Sequence, residues 1–219
     1  MLYLIKQYGT ELLAGLQVTV YLCAIVWSSG IVLGALFGAA SARWPKTLGL
    51  LLKTLFVFLA AVPILVILFW MHYPLQALLN IIIKPFVTAA GTLSLINTIF
   101  VAELCRTAIV DFPQQYLSAA KVCGLDSRTT YFRVYLPILL RQILPGLLLV
   151  EITMLQATLF ASLISVDEIF RVAQRINSIE YRPVEIYTAL ALLFVLTCVP
   201  MHMLAHYLRR RFTRDLSEV

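Results

Sequence analysis

The stretch LLAGLQVTVYLCAIVWSSGIVLGALFGAASA, residues 12–42, carries no charged residue over its whole length. A helix that crosses a membrane needs about 20 consecutive apolar residues, whereas the core of a secretory signal has only about 7–15. The stretch is therefore too long for a cleaved signal core, although Lys6 precedes it as a basic residue precedes such a core. It predicts a spanning helix that is retained.

The composition extends this interpretation to the rest of the chain. Hydrophobic residues make up 61% of the 219 residues and charged residues 13%, whereas a soluble domain is about 25% charged. The net charge of +6 lies in short clusters between apolar stretches. Anionic lipid headgroups account for such clusters, and no nucleic-acid partner is predicted.

Four further stretches are long and apolar enough to span. They lie at residues 54–71, 85–110, 136–164 and 186–207. Helices suit these stretches because a helix satisfies its own backbone hydrogen bonds in hydrocarbon. The sequence thus predicts an all-α integral membrane protein with about five transmembrane helices in a single domain, residues 1–219.

The basic residues also predict the orientation. Lys and Arg accumulate in cytoplasmic loops. With the N-terminus outside, the inner segments hold twelve of the 17 Lys and Arg residues and the outer segments five. The predicted topology is N-terminus out and C-terminus in, with a cytoplasmic segment at 111–135 and an external segment at 167–185.

The cytoplasmic segment reads DFPQQYLSAAKVCGLDSRTTYFRVYLP, residues 111–137. Pro113 ends the preceding helix or starts a new one, and a short helix is predicted over 114–123. Gly124 follows where a helix ends in a left-handed turn, and Asp126 or Ser127 can cap the next helix. Its small residues favour docking into a groove of a partner protein. The alternative is a solvated loop that only reverses the chain.

This segment resembles the conserved cytoplasmic loop of ABC importer permeases, whose pattern is E-A-A, three residues, Gly, and later Leu-Pro. Here the pattern stands as Ser118-Ala119-Ala120, Gly124 and Leu136-Pro137. Four more stretches resemble the polar-amino-acid branch of that family, of the histidine, glutamine, glutamate and arginine type, in the family's order. They are GLQVTVYLCAIVWSSGIVLG (15–34), AAVPILVILFW (60–70), VAELCRTAI (101–109) and LQATLFASLISVDEIF (155–170).

The chain also departs from the family pattern. Ser118 replaces a glutamate, Ala60 replaces an arginine, and Gln156 and Ala157 replace a Lys-Asp pair. Leu149 stands where an asparagine is common. These departures suggest the less conventional half of a heterodimer, or an unusual substrate.

The resemblance implies a type I importer in the bacterial cytoplasmic (inner) membrane. Two permeases, identical or related, would pair above two ATPase subunits and receive an amino-acid substrate from an extracytoplasmic binding protein. ATP and Mg²⁺ would bind to the ATPase; this chain has no G-x-x-x-x-G-K-[ST] loop, so it is expected to bind no cofactor and to be no enzyme. The predicted ATPase-coupling residues are Tyr116, Leu117, Ser118, Ala119, Ala120, Gly124 and Leu125.

Ionisable residues within the spans are candidates for the substrate path, because each costs roughly 2.5–3.5 kcal/mol on insertion scales. Glu103 and Arg106 lie three apart on one helical face and can form an ion pair, either structural or in the path. Glu151 has no partner nearby in sequence. It is predicted to bind a substrate amino group or to pair with a charge on the neighbouring subunit.

Three uncharged residues complete the predicted path. Pro63 frees a backbone carbonyl that can face the path or merely marks close packing. Thr158 and Ser162 lie four apart and can line the same cavity or hydrogen-bond between helices. No metal site is predicted, since His202 and His206 have no third ligand. The four cysteines are predicted to be reduced and buried.

Two other functional classes compete with the importer. A subunit of a secondary transporter or channel would use the buried charges as an ion path, but the chain is short and has no internal repeat of the kind such transporters show. A membrane-embedded enzyme is disfavoured because no H-E-x-x-H motif, nucleophile motif or catalytic pair of carboxylates is present.

Overall fold

A computed structural model of the chain describes the backbone of residues 2–213 and the side chains of residues 6–212. The described chain is helical, without strands. Its helices are α1 (Leu2–Arg43), α2 (Leu50–Ala61), α3 (Ile64–His72), α4 (Pro74–Leu79), α5 (Pro85–Val110), α6 (Gln114–Val122), α7 (Ser127–Thr129), α8 (Leu136–Ala157), α9 (Ile169–Glu180) and α10 (Pro183–Thr213). Two π-helical turns, Pro45–Gly49 and Thr130–Tyr135, and a 3₁₀ segment, Thr158–Ile164, join some of them.

Four of the predicted spans are present as long apolar helices. They correspond to α1, α5, the continuous run from α7 to residue 164, and α10. α5 covers the predicted range of residues 85–110. The described chain therefore has four spanning helices, or five when the bent pair of α2 and α3 is counted as one more span.

The predicted span at 54–71 is not one continuous helix. The helices on either side of Val62 and Pro63 are bent by 99° relative to each other. Pro63 has no N–H to donate to the carbonyl of Leu59, and Val62 adopts an extended conformation with ψ 129°. Proline thus breaks the helix instead of kinking it.

A row of glycines brings α1 and α5 into close contact. Gly30, Gly34 and Gly38 repeat every four residues and form one face of α1. A Cβ at Gly34 would lie 2.6 Å from Cβ of Val101, and one at Gly38 would lie 2.6 Å from Cβ of Cys105. Only hydrogen fits at these positions, so the two backbones pack directly together, as small residues allow in membrane helices.

The main core lies where α1, α5 and α8 meet. Leu22 and Val26 of α1, Leu93 and Ile96 of α5, and Met154 of α8 have no solvent-exposed area. Around this core α10 is the least covered of the long apolar helices. Only 11% of its most apolar 18-residue stretch is buried inside the protein. Lipid or another subunit must therefore cover most of α10.

The cysteines are free, but one departs from the prediction. Cys23, Cys105 and Cys198 are buried, whereas Cys123 is exposed. Cys123 follows directly after the end of α6, outside the packed helices. The prediction that all four are buried is therefore wrong for Cys123.

Candidate functional site

The segment between α5 and α8 folds as the sequence predicts. Pro113 precedes α6, which spans Gln114–Val122, and Cys123 ends it. Gly124 adopts φ +72°, the left-handed conformation that only glycine reaches at little cost. Gly124 N–H donates to the Lys121 carbonyl, and Leu125 N–H donates to the Ala120 carbonyl. These bonds close the end of α6 and turn the chain back towards the membrane helices.

Asp126 caps the next helix. Its carboxylate accepts hydrogen bonds from the backbone N–H groups of Arg128 and Thr129, at 3.1 and 3.2 Å. Hydrogen bonds from the Thr129 side chain and backbone lower the pKa of Asp126 below its usual value. Of the two predicted caps, Asp126 is the one used. The cap keeps Asp126 ionised and fixes the direction in which the chain re-enters the bundle.

One face of α6 packs against the protein itself. Tyr116 and Leu117 contact the cluster formed by Phe112 and Leu139, and Ala120 is 4% exposed. These three side chains are among those predicted to contact an ATPase. In the structure they lie on the inner side of α6, because an amphipathic helix turns its apolar face towards the nearest apolar surface. Their contact with an ATPase stays a prediction.

The opposite face of α6 is open. Gln115, Ser118, Ala119 and Val122 are exposed, and Val122 is 88% exposed. Their spacing places them along one side of the helix. Together with exposed Leu125 beyond Gly124, this outer face carries mostly short side chains and two aliphatic groups, those of Val122 and Leu125.

Within the spans, Glu103 and Arg106 form the predicted ion pair. Arg106 Nε donates to Glu103 Oε2 at 2.7 Å, and Arg106 Nη2 donates to Oε1 at 2.6 Å. The Glu103 side chain is 14% exposed and the Arg106 side chain 19% exposed. A two-bond pair of this kind neutralises both charges within α5. Its place in a substrate path stays a prediction.

Glu151 lies among α1, α5 and α8 and is 4% exposed. Its carboxylate oxygens accept from Asn97 Nδ2 at 3.2 and 3.1 Å, and Asn97 Nδ2 also donates to the Val26 carbonyl at 3.0 Å. Trp27 Nε1 donates to the Glu151 carbonyl at 3.2 Å. The polar groups of three helices thus meet at Asn97. A role for Glu151 in substrate binding stays a prediction.

Asn97 is the residue that sequence reasoning missed. It faces the glycine row of α1, where a Cβ on Gly30 would collide with its side-chain amide. A carboxamide in the middle of an apolar span is itself a signal, since polar groups within spans find partners on other helices. The spacing of 54 residues between Asn97 and Glu151 hid the contact.

Thr158 and Ser162 are enclosed, at 0% and 1% exposed. Their hydroxyls donate to carbonyls of the same segment, those of Leu155 and Leu159, each at 2.7 Å. Thr158 also lies beside the Cys23 thiol of α1. These hydrogen bonds stabilise the 3₁₀ segment, and a place for Thr158 and Ser162 in the substrate path stays a prediction.

The segment predicted to be external contains the amphipathic helix α9. Ile169, Val172, Ala173 and Ile176 pack against α1 and α10. Glu168, 0% exposed, caps the helix by accepting from the N–H groups of Phe170 and Arg171, both at 2.8 Å. Burial raises the pKa of Glu168 to about 7.

Ion pairs hold the polar side of α9. Arg171 Nε lies 3.2 Å from Asp167 Oδ1, and Arg175 Nη2 lies 3.4 Å from Glu11 Oε2. Arg171 Nη1 also donates to the Ser162 carbonyl at 2.8 Å. Among the described residues, no cluster of three or more His, Cys, Asp or Glu side chains is arranged to hold a metal ion.

The sequence of the chain matches a known family over most of its length. The family is described as "Binding-protein-dependent transport system inner membrane component", and the match covers residues 30–214. The chain belongs to this family. It is therefore an inner-membrane transport permease, and the secondary transporter and channel alternatives are not favoured.

Curated relatives of the permease cover nearly all of it. The octopine transport system permease protein of Rhizobium radiobacter is 29% identical and covers 87% of this chain and 81% of its own length. The L-cystine transport system permease protein of Bacillus subtilis is 28% identical, covering 97% and 91%. The glutamine transport system permease protein of Escherichia coli is 27% identical, covering 91% and 92%.

Solved structures confirm the fold. A chain in the crystal structure of an amino acid ABC transporter with histidines has a TM-score of 0.81 at 23% identity and covers 94% of the permease and 96% of that chain. A chain of an inward-facing methionine ABC transporter has a TM-score of 0.70 at 17% identity, covering 94% and 98%. The fold is that of type I ABC importer permeases, whose ATPase is a separate subunit.

Proposed function

We propose that the permease carries an amino acid across the bacterial inner membrane as the membrane subunit of an ATP-driven importer. The names of the relatives support an amino-acid or related substrate, since they are called permeases for octopine, L-cystine and glutamine. Its proposed partners are cytoplasmic ATPase subunits that bind ATP and Mg²⁺, a second permease subunit and an extracytoplasmic binding protein. The permease itself carries out no hydrolysis.

The observation that carries the proposal is the construction of α6. On its inner face Tyr116 and Leu117 pack against the apolar cluster that includes Phe112 and Leu139, and Ala120 is buried, while its outer face is exposed. A short rod held rigidly on one side transmits a push applied to the other side. We assign the outer face, centred on Ser118, Ala119 and Val122, to contact with the ATPase, with the N-terminus of the chain outside.

The missing family glutamate is consistent with this assignment. Ser118 lies on the outer face and is exposed. Replacing a carboxylate by a hydroxyl at such a position removes a charge from the contact but leaves its shape. Contact with the ATPase then depends mainly on the close approach that Ala119 and Val122 permit.

The substrate path is proposed to pass the break between α2 and α3. Pro63 is exposed there, and the carbonyl of Leu59 has no helical N–H partner. Unwound backbone at membrane depth is tolerated where it is buried in protein or lines a water-filled cavity. The other predicted path residues are enclosed or paired in this structure, so they join the path only if transport rearranges the helices around them. They are Glu151, Thr158, Ser162 and the Glu103–Arg106 pair.

Co-purification of the ATPase tests the coupling assignment. Ala119→Trp places a large ring on the outer face and is expected to reduce ATPase recovery with the tagged permease about fivefold or more, since overpacking commonly costs about 1–3 kcal/mol. Val122→Asp, at an 88% exposed position, is expected to act in the same direction. The matched control is Val184→Asp, at a 78% exposed position at the opposite end of the bundle. Equal recovery with all three variants would refute contact at α6.

Transport of candidate amino acids tests Glu151. Glu151→Gln keeps the shape and both polar atoms of the side chain but removes its charge. If Glu151 binds the substrate amino group, the affinity for that substrate falls in the variant. If the affinity for every substrate stays unchanged, Glu151 does not belong to the binding site.

A further inference from the structure

A cavity of about 890 Å³ lies between α8 and α10, apart from α6 and from the break in α2 and α3. The two helices run antiparallel here, because Arg141 lies over the ring of Phe212 while Ile152 packs with Cys198. The Arg141 end of the cavity is therefore the end nearest to α6. The Leu149 end lies deeper, about 12 Å along α8 at 1.5 Å per residue.

The end of the cavity nearest to α6 is basic. Arg141, Arg209 and Arg210 line it, and no acidic side chain occurs among its described lining residues. The guanidinium carbon of Arg141 lies 5.8 Å from the centre of the Phe212 ring, which holds it at the edge of the bundle. Guanidinium groups bind phosphate oxygens through paired N–H donors.

The deeper end of the cavity is mostly apolar. Pro145, Leu149 and Met203 line it together with His202, and Leu149 and Met203 are 39% and 68% exposed. Exposed aliphatic groups at this depth face hydrocarbon in a membrane protein. A cavity with one basic end and one mostly apolar end matches the shape of a phospholipid. The phosphate of a phospholipid lies at the headgroup level, and its acyl chains extend towards the middle of the bilayer.

We propose that this cavity binds one anionic phospholipid, with the phosphate at Arg141 and Arg210 and an acyl chain along Leu149 and Met203. Basic pockets between spanning helices are known to bind anionic headgroups. Gln142 also lines the cavity, and its buried Oε1 has no hydrogen-bond partner among the described residues. A hydroxyl of a phosphatidylglycerol headgroup can donate to it, so phosphatidylglycerol is the expected ligand.

Native mass spectrometry of the full-length permease, purified in detergent, measures this preference. The probes are phosphatidylglycerol and phosphatidylethanolamine with the same acyl chains. Each arginine near a membrane surface contributes about fivefold to anionic-lipid binding. Arg141→Gln is therefore expected to lower phosphatidylglycerol binding about fivefold, and Arg141→Gln with Arg210→Gln about 25-fold, without changing phosphatidylethanolamine binding.

Matched variants separate charge from folding. Arg128→Gln removes an exposed arginine of α7, outside the cavity, and is expected to change nothing. Arg141→Lys keeps the charge and is expected to keep most of the preference. Melting temperatures of all variants should agree with that of the unmodified chain.

Three results would overturn the proposal. The first is equal phosphatidylglycerol preference in Arg141→Gln and Arg128→Gln. The second is displacement of the lipid by inorganic phosphate or glycerol phosphate, which would make the cavity a site for a soluble phosphate. The third is loss of the Arg141-dependent preference when the permease is purified within its whole transport complex, which would mean that another subunit covers the cavity.

Discussion

Asn97 joins three helices through one side chain. Its amide donates to the Val26 carbonyl of α1 and to the Glu151 carboxylate of α8, and its neighbours leave room for it only because residue 30 is glycine. A carboxylate in the bundle interior needs a hydrogen-bond donor, since burying it alone is costly. The hydrogen bonds from Asn97 therefore lower the free-energy cost of burying the Glu151 carboxylate.

Replacing Asn97 tests this dependence. Asn97→Ala leaves Glu151 without its amide donor and is expected to lower the free energy of unfolding in detergent by about 1–3 kcal/mol. Leu95→Ala, on the exposed side of the same helix, is the control and should cost less. Combining Asn97→Ala with Glu151→Leu should recover part of the loss; if the double variant is less stable than Asn97→Ala, the amide does not act through Glu151.

Glu168 makes stability depend on pH. Burial raises its pKa from 4.5 to about 7 despite its hydrogen bonds to the Phe170 and Arg171 N–H groups. A raised carboxyl pKa means that the folded state favours the protonated form, so this contribution is present below about pH 4.5 and is lost as the pH rises through about 7. Asp167 and Arg171 are the charged groups beside it.

Glu168→Gln is expected to remove this pH dependence. The difference in unfolding free energy, variant minus unmodified chain, should rise between pH 5 and pH 8 by up to about 3 kcal/mol, since one pKa unit corresponds to ~1.4 kcal/mol. Thermal unfolding in detergent at both pH values measures it. A difference that stays constant, or falls, across this interval would contradict the raised pKa.

At the scale of elements, the contact between α1 and α5 depends on the glycine row. A Cβ at Gly34 would lie 2.6 Å from Val101 Cβ and 2.9 Å from the Thr98 carbonyl oxygen. Because one of these neighbours is backbone, the helices must separate to accept any side chain. The glycine row therefore sets the distance between α1 and α5, and with it the hydrogen bond from Asn97 of α5 to the Val26 carbonyl of α1.

Gly34→Leu is expected to lower the melting temperature by forcing α1 away from α5, with a cost of at least about 1–3 kcal/mol. Gly91→Leu is the matched control, because nothing lies within 4 Å of a Cβ at that position of α5. Equal melting temperatures for the two variants would mean that the close helix contact does not exist.

The turn after α6 is the second element with a strict requirement. At φ +72° a β-branched residue is strained, by about 1–2 kcal/mol or more, whereas asparagine tolerates this region. Gly124→Val is expected to displace the end of α6 and reduce recovery of the ATPase in pull-downs. Gly124→Asn should retain it, and loss of the ATPase with both variants would point to the glycine surface and not to the turn.

At the scale of the whole molecule, the features that could be predicted from the sequence are those that depend on neighbouring residues along the chain. Long apolar runs predicted the spans, and the sequence from Pro113 to Gly124 predicted α6 with its left-handed end. The Glu103–Arg106 pair followed from a spacing of three. Each of these depends on residues that are close together along the chain.

Features that depend on tertiary packing were not predicted. The partner of Glu151 lies 54 residues away in another helix. Tyr116 and Leu117 look suited to a partner, but Phe112 and Leu139 supply an apolar surface nearer to them. Proline at residue 63 predicts an interruption of the helix, but the 99° direction that α3 takes, packed against α5, is a tertiary feature that no local signal encodes.

The central claim is that α6 faces the cytoplasm, where an ATPase can reach it. The chain offers a natural reporter, because Cys123 at the end of α6 is exposed while Cys23, Cys105 and Cys198 are buried. The direct measurement is labelling by a membrane-impermeant maleimide in vesicles of known orientation, with the permease expressed without its ATPase and Cys123→Ser as the control. Labelling in inside-out vesicles, and none in right-side-out vesicles, is the predicted result. Labelling of Cys123 in right-side-out vesicles would place α6 outside and contradict the account.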